Sequence, residues 1–239
     1  MVNGSSRSGY GSQPRAGTGG GSRSGRGSTP SDEGSSGPVF ELLVVFVAVF
    51  VVQGVTEILG IMVGLFVLAP PLTTNPWTII SSVYAHGGLG HLVSNSLALI
   101  IFGWPVARAT TRLRFHTFFA VTGAVAGVSQ IVLTDVAASL PFIAVTPTEG
   151  VIGASGAVFA LFGYLVASNR LSASLASFVD VPRWLSILVF LGLATAVTIA
   201  TGAPGVALLA HFTGFFVGLL AGRARVLHVG SQTGSKRSV

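Results

Sequence analysis

The chain has 239 residues, half of them hydrophobic and only 8% charged, too little polar surface to keep one or two globular domains of this size in water. Cysteine is absent, which excludes disulfides and thiolate metal sites. The net charge of +6 does not indicate a nucleic-acid partner, because the thirteen Lys and Arg lie in tails and short loops rather than as a stripe on one folded face.

In chain order, residues 1–38 are almost entirely Gly, Ser, Arg, Thr and Pro. That composition cannot bury enough apolar area to offset its conformational entropy, so a disordered tail is expected. It has neither the amphipathic periodicity of a transit peptide nor the apolar core of a signal peptide. Six apolar segments follow, Val39–Leu59, Leu89–Val106, Phe115–Leu133, Val151–Ala167, Trp184–Thr201 and Gly205–Ala221. Each is near the ~17 to 25 residues that cross the hydrocarbon core as a helix. The apolar stretch Ile61–Leu72 is short and ends at Pro70-Pro71, which fits a membrane-surface or partly inserted loop better than a seventh span. The expectation is an all-α, polytopic protein of the lipid bilayer: a six-transmembrane-helix bundle over residues 39–222 and a short basic tail over 223–239.

Basic residues orient the bundle, because short cytoplasmic loops concentrate Lys and Arg. They fall before helix 1 (Arg7, Arg15, Arg23, Arg26), between helices 2 and 3 (Arg108, Arg112, Arg114), between helices 4 and 5 (Arg170, Arg183), and after helix 6 (Arg223, Arg225, Lys236, Arg237). The connections on the other side carry Glu57, Asp135 and Glu149. A multi-pass cell-membrane protein with both termini cytoplasmic follows, its helices 2, 4 and 6 running inward from the outer face.

In that orientation the polar residues of the spans share one layer. Ser155, His211, His91 and Asn95 all lie within roughly 4 to 10 Å of the outer helix starts, at about 1.5 Å per residue. Polar groups are costly at membrane depth unless they serve a purpose. His211, Gly214, Gly218 and Gly222 recur on one face of helix 6, and Gly156, Ala160, Gly163 and Ala167 answer at matching spacing on helix 4. Small residues on such faces let backbones approach closely in lipid. Contact between them brings the His211 imidazole beside the Ser155 hydroxyl, where it can act as general base in peptide hydrolysis. No acidic residue lies at that depth in helices 2 to 6, so the expectation is a dyad, with Phe159 one turn after Ser155 packing on the imidazole. His91 and Asn95 share a face of helix 2 and suit an oxyanion hole completed by the Ser155 backbone N–H. Gly87, Gly88 and Gly90 let the chain turn tightly into that helix.

Together, His86-x4-His91-x3-Asn95, Gly153-Ala154-Ser155-Gly156 and Ala210-His211-x-x-Gly214-x-x-x-Gly218 resemble the rhomboid intramembrane serine proteases over roughly residues 40–222. The resemblance implies that Ser155 is the nucleophile, His211 the general base, and His91 and Asn95 the oxyanion side chains. Phe159, Gly153, Gly156 and His86 are then supporting positions. It also implies cleavage of transmembrane segments of single-pass or polytopic membrane proteins near the outer face, without metal or cofactor. One departure is visible: the first loop often carries Trp-Arg in this family, whereas here Trp77 is followed by Thr78, which puts the polar anchoring of that loop in question.

Three rival readings carry less. His86, His91 and His211 supply three zinc-type ligands, but their five-residue spacing splits the first two across a helix, and no carboxylate is at hand to orient them. A non-catalytic relative holding transmembrane clients in the same groove has no need of a Ser–His pair. A transporter usually places ionisable groups near the membrane centre and shows internal repeats, and neither is evident. His116 and His228 fall at the cytoplasmic ends, where solvent or lipid headgroups are their expected surroundings.

Overall fold

The computed structural model describes residues 37–168, 182–203 and 205–228. Of the tail expected over residues 1–38, residues 1–36 lie outside the described residues, as do Arg170 and the C-terminal tail from residue 229 onward. Among those described, six apolar helices occupy the six expected positions. Three are long enough and apolar enough to cross a membrane, and three are shorter apolar helices.

Helix α1 (Gly37–Ile58) begins two residues before the expected span, with Pro38 in its first turn, where a missing N–H costs no helical hydrogen bond. Its buried stripe of Val39, Leu42, Phe46, Gln53 and Thr56 faces the bundle. Phe40, Val44, Val47, Val51 and Val55 lie exposed, an apolar surface that suits lipid. The Ile61–Leu72 stretch forms a single short helix, α2 (Met62–Phe66), followed by one isolated β-bridge in which Leu68 pairs antiparallel with Val151. Uncharged hydrogen bonds anchor this loop where Trp-Arg is absent. The Trp77 indole N–H donates to the Gly64 carbonyl at 3.0 Å, and the Ser81 hydroxyl, on α3 (Thr78–Tyr84), donates to that of Leu65 at 2.5 Å.

Helix α4 (Leu89–Ala107) widens into a π-helical segment at Leu99–Gly103, just before Pro105. A proline lacks the N–H for the regular ladder and crowds the preceding turn, and a local π segment accommodates both effects. Helix α5 (Arg112–Ala138) is the most enclosed of the long helices, its buried stripe running from Phe115 through Gly123 and Gln130 to Thr134. At its first turn His116 sits 2.7 Å from the Glu41 carboxylate of α1, with Arg112 3.2 Å from the same carboxylate. His116 is thus paired to the protein rather than left to solvent. His228 is exposed, as expected, and only its backbone carbonyl meets the bundle, accepting from Arg114 at 3.2 Å beside the buried Leu227.

Helices α6 (Ser155–Ser168) and α8 (Leu208–Arg223) begin later than the apolar runs suggested. Val151 is held in its pairing with Leu68, and Gly153 donates its N–H to the Ser82 carbonyl at 2.9 Å with φ +133°. Neither arrangement is helical, so the chain enters α6 only at Ser155. Gly205, at φ +80°, similarly lies outside α8. Ser155 therefore opens its helix instead of sitting inside it, and His211 lies in the first turn of its own. Helix α7 (Arg183–Ala200) packs on α8.

The α6–α8 pairing is the tightest in the bundle. A Cβ added at Gly214 would strike the Gly156 carbonyl, one at Gly218 the Ala160 carbonyl, one at Gly163 the Phe215 carbonyl, and one at Gly222 would lie 2.5 Å from the Tyr164 carbonyl. The two small-residue faces thus meet backbone to backbone, which only glycine allows.

Candidate active site

That contact decides where Ser155 and His211 lie. Gly156, next to Ser155, touches Gly214, one turn beyond His211, and a Cβ on Gly156 would stand 3.7 Å from the carbonyl of Ala210. Both residues line one cavity of ≈ 520 Å³, together with His91, Asn95, Gly153, Gly156 and Phe159. The walls come from α3, α4, α5, the starts of α6 and α8, and the segment Gly150–Gly153. His86 does not line it.

Each side chain has identifiable neighbours. The Phe159 ring stacks on His211 with centroids 4.2 Å apart and planes 20° from parallel, one helical turn along α6 from Ser155. His211 is buried, and its Nδ1 has no hydrogen-bond partner among the described residues. The Gly87 N–H donates to His91 Nδ1 at 3.3 Å, so the neutral ring carries its proton on Nε2. Asn95 donates one amide hydrogen to the His91 carbonyl at 3.0 Å and keeps the other. Ser155, as the first residue of α6, belongs to the turn whose backbone N–H groups have no intrahelical acceptor. Gly153 makes the fit possible: a Cβ there would stand 2.5 Å from His91 Cε1 and 2.7 Å from Nε2.

His86 is buried in the wall behind His91. Its ring meets Phe46 edge-on at 4.8 Å and His91 at 5.3 Å. The spacing argument that separated the two histidines fails because His86 precedes α4, and the Gly87-Gly88 turn, with Gly88 at φ +153°, folds one ring onto the other. Burial, and secondarily the neighbouring His91, lowers the His86 pKa from 6.5 to about 4, which keeps this ring neutral near neutral pH.

Two glutamines that sequence reading passed over are part of the frame. Gln53 of α1 accepts the His86 N–H at 2.9 Å and donates to the His86 carbonyl at 3.2 Å, pinning the residue that leads into α4. Gln130 of α5 accepts the Ala210 N–H at 3.1 Å and donates to Thr148 Oγ1 at 2.9 Å. The available signal was an uncharged polar side chain in a membrane span, which is retained only where it finds partners.

A model of the Rhomboid domain matches residues 73–227. The chain is 28% identical over 168 residues to Rhomboid-related protein 1 of Caenorhabditis elegans, covering 66% of this chain and 42% of that protein. To RHOMBOID-like protein 4 of Arabidopsis thaliana it is 29% identical over 147 residues, 61% and 33% of the two chains. To Rhomboid-related protein 2 of Mus musculus it is 30% identical over 111 residues, 46% and 33%. The chain spans less than half the length of these relatives. The domain match takes in the whole of the cavity described above and well over half of the sequence, and on that ground this membrane protein belongs to the rhomboid family.

Proposed function

We propose that this protein is an intramembrane serine endopeptidase that hydrolyses peptide bonds in transmembrane segments of other membrane proteins. The observation that carries the reading is the single cavity lined by Ser155, His211, His91 and Asn95, which are contributed by three different helices. Ser155 Oγ attacks the scissile carbonyl as His211 Nε2 takes its proton, the imidazolium gives that proton to the leaving amine as the C–N bond breaks, and a water activated by the same imidazole then cleaves the Ser155 ester. With no carboxylate at the ring among the described residues, stacking on Phe159 holds its plane. The developing oxyanion is met by the Ser155 N–H, the Nε2–H of His91 and the spare amide hydrogen of Asn95, and one such donor is typically worth about 3 to 4 kcal/mol in the barrier. A helical substrate must unwind locally, because its carbonyls are otherwise hydrogen-bonded.

The orientation is part of the proposal. Arg108, Arg112, Arg114 and Arg223 lie at the ends of α4, α5 and α8 remote from the cavity. The positive-inside rule makes that end cytoplasmic and the cavity end external, with both termini inside. A fluorophosphonate probe is the test: the detergent-purified wild type is labelled and cleaves a transmembrane reporter in liposomes, while Ser155→Ala does neither. A wild type that binds the reporter without labelling or cleavage indicates a non-catalytic client binder and sinks the protease reading.

A further inference from the structure

We infer that Gln130 is a positioning residue that holds the first turn of α8, which carries His211, and the loop leading into Ser155 in one rigid frame. This rests on the proteolytic reading above. Gln130 is buried on α5, 7% exposed, and its side-chain amide bridges two segments distant in sequence. Its oxygen accepts the N–H of Ala210, the residue before His211, at 3.1 Å. No side chain caps α8 at Ala207, and Ala210 N–H is one of the first-turn donors that a helix cannot satisfy itself, so Gln130 acts as a long-range cap. Its nitrogen donates to Thr148 Oγ1 at 2.9 Å, seven residues before Ser155.

The loop end of this frame is closed by a second residue of α5. Thr148 N–H donates to Thr134 Oγ1 at 3.1 Å, and the two threonine hydroxyls lie 3.0 Å apart. The helix end is doubled as well, because Ser129 Oγ donates to Thr213 Oγ1 at 2.9 Å. Consecutive residues of α5, Ser129 and Gln130, thus hold the positions on either side of His211. An amide can serve both segments at once because it offers an acceptor and donors on one rigid plane. In an apolar surrounding the alternative is an unpaired polar group, which fixes the register. The proposed dyad depends on the relative placement of two helix starts, and Gln130 is the only residue hydrogen-bonded to both the α8 turn and the Ser155 loop among the described contacts.

The test compares Gln130→Met, near-isosteric but unable to bond Ala210, with Leu42→Ala, a core truncation in α1 that lowers stability without touching the cavity. The expected result is a fall in kcat of about tenfold to a hundredfold for Gln130→Met, since small misplacement of catalytic groups costs that much, with KM within about twofold. Phosphonate labelling of Ser155 should slow by the same factor as kcat. Leu42→Ala, compared at equal distance below its melting temperature, should keep the wild-type labelling rate. Wild-type labelling in Gln130→Met, or an equal loss in both variants, overturns the inference. A wild type inert to the probe sinks the proteolytic reading instead. Amide exchange at Ala210 then decides the clamp by itself, faster exchange in Gln130→Met supporting it and unchanged exchange overturning it.

Discussion

Gly153 meets two constraints at one position. Its φ of +133° is open to glycine and strained for other residues, and the space its side chain would fill is already taken by the His91 imidazole. Backbone strain and clash act together at one atom. For Gly153→Ala the expected outcome is a loss of about 1–3 kcal/mol of stability, read by thermal melting in detergent. Displacement of His91 is expected to lower kcat by about tenfold or more. Gly88, also at positive φ, has nothing within 4 Å of its would-be Cβ, so strain alone acts there. A Gly153→Ala variant with normal kcat would show that His91 can move without consequence.

At the scale of elements, the α6–α8 seam matters most. Close backbone approach leaves no flexible side chain to yield, since the atoms facing Gly163, Gly214 and Gly218 are carbonyls and amides. Gly218→Ala must push the helices apart by the width of a methyl group, with an expected cost of about 1–3 kcal/mol. It should also separate Ser155 from His211, and therefore slow phosphonate labelling of Ser155. Gly54 on α1 has open space around its would-be Cβ, so Gly54→Ala is the matched control and should melt no lower than wild type. Equal melting of the two variants would mean that the seam relaxes freely.

At the scale of the whole molecule, α7 is the least held of the six apolar helices among the described residues. Among the described helices it packs on α8, through Phe190, Ala194 and Val197 against Phe212, Phe215 and Phe216, while Trp184, Leu188, Val189 and Ile199 lie exposed. Such an element can swing away without breaking the α4–α6–α8 frame. We propose it, with the Ile61–Leu72 loop, as the gate for lateral entry of substrate. The absence of native cysteine makes the test clean. Cysteines placed on α4 and α7 and joined by a short bifunctional linker should abolish cleavage of a transmembrane reporter and leave labelling by a small phosphonate intact. Undiminished cleavage in the locked protein would rule out this gate.

Composition and period alone were enough for six apolar helices and for the small-residue faces of α6 and α8, because lipid exposure and backbone approach each impose a local residue type. The grouping of Ser155, His211, His91 and Asn95 in one layer was legible for the same reason: polar groups in apolar runs stand out. Only the tertiary structure decided that α6 begins at Ser155, because the Leu68–Val151 pairing and the Gly153–Ser82 hydrogen bond come from segments remote in sequence. Only there do Gln53 and Gln130 acquire partners, 33 and 80 residues away. A hydrogen bond carries no periodic trace in sequence, whereas a helix face does.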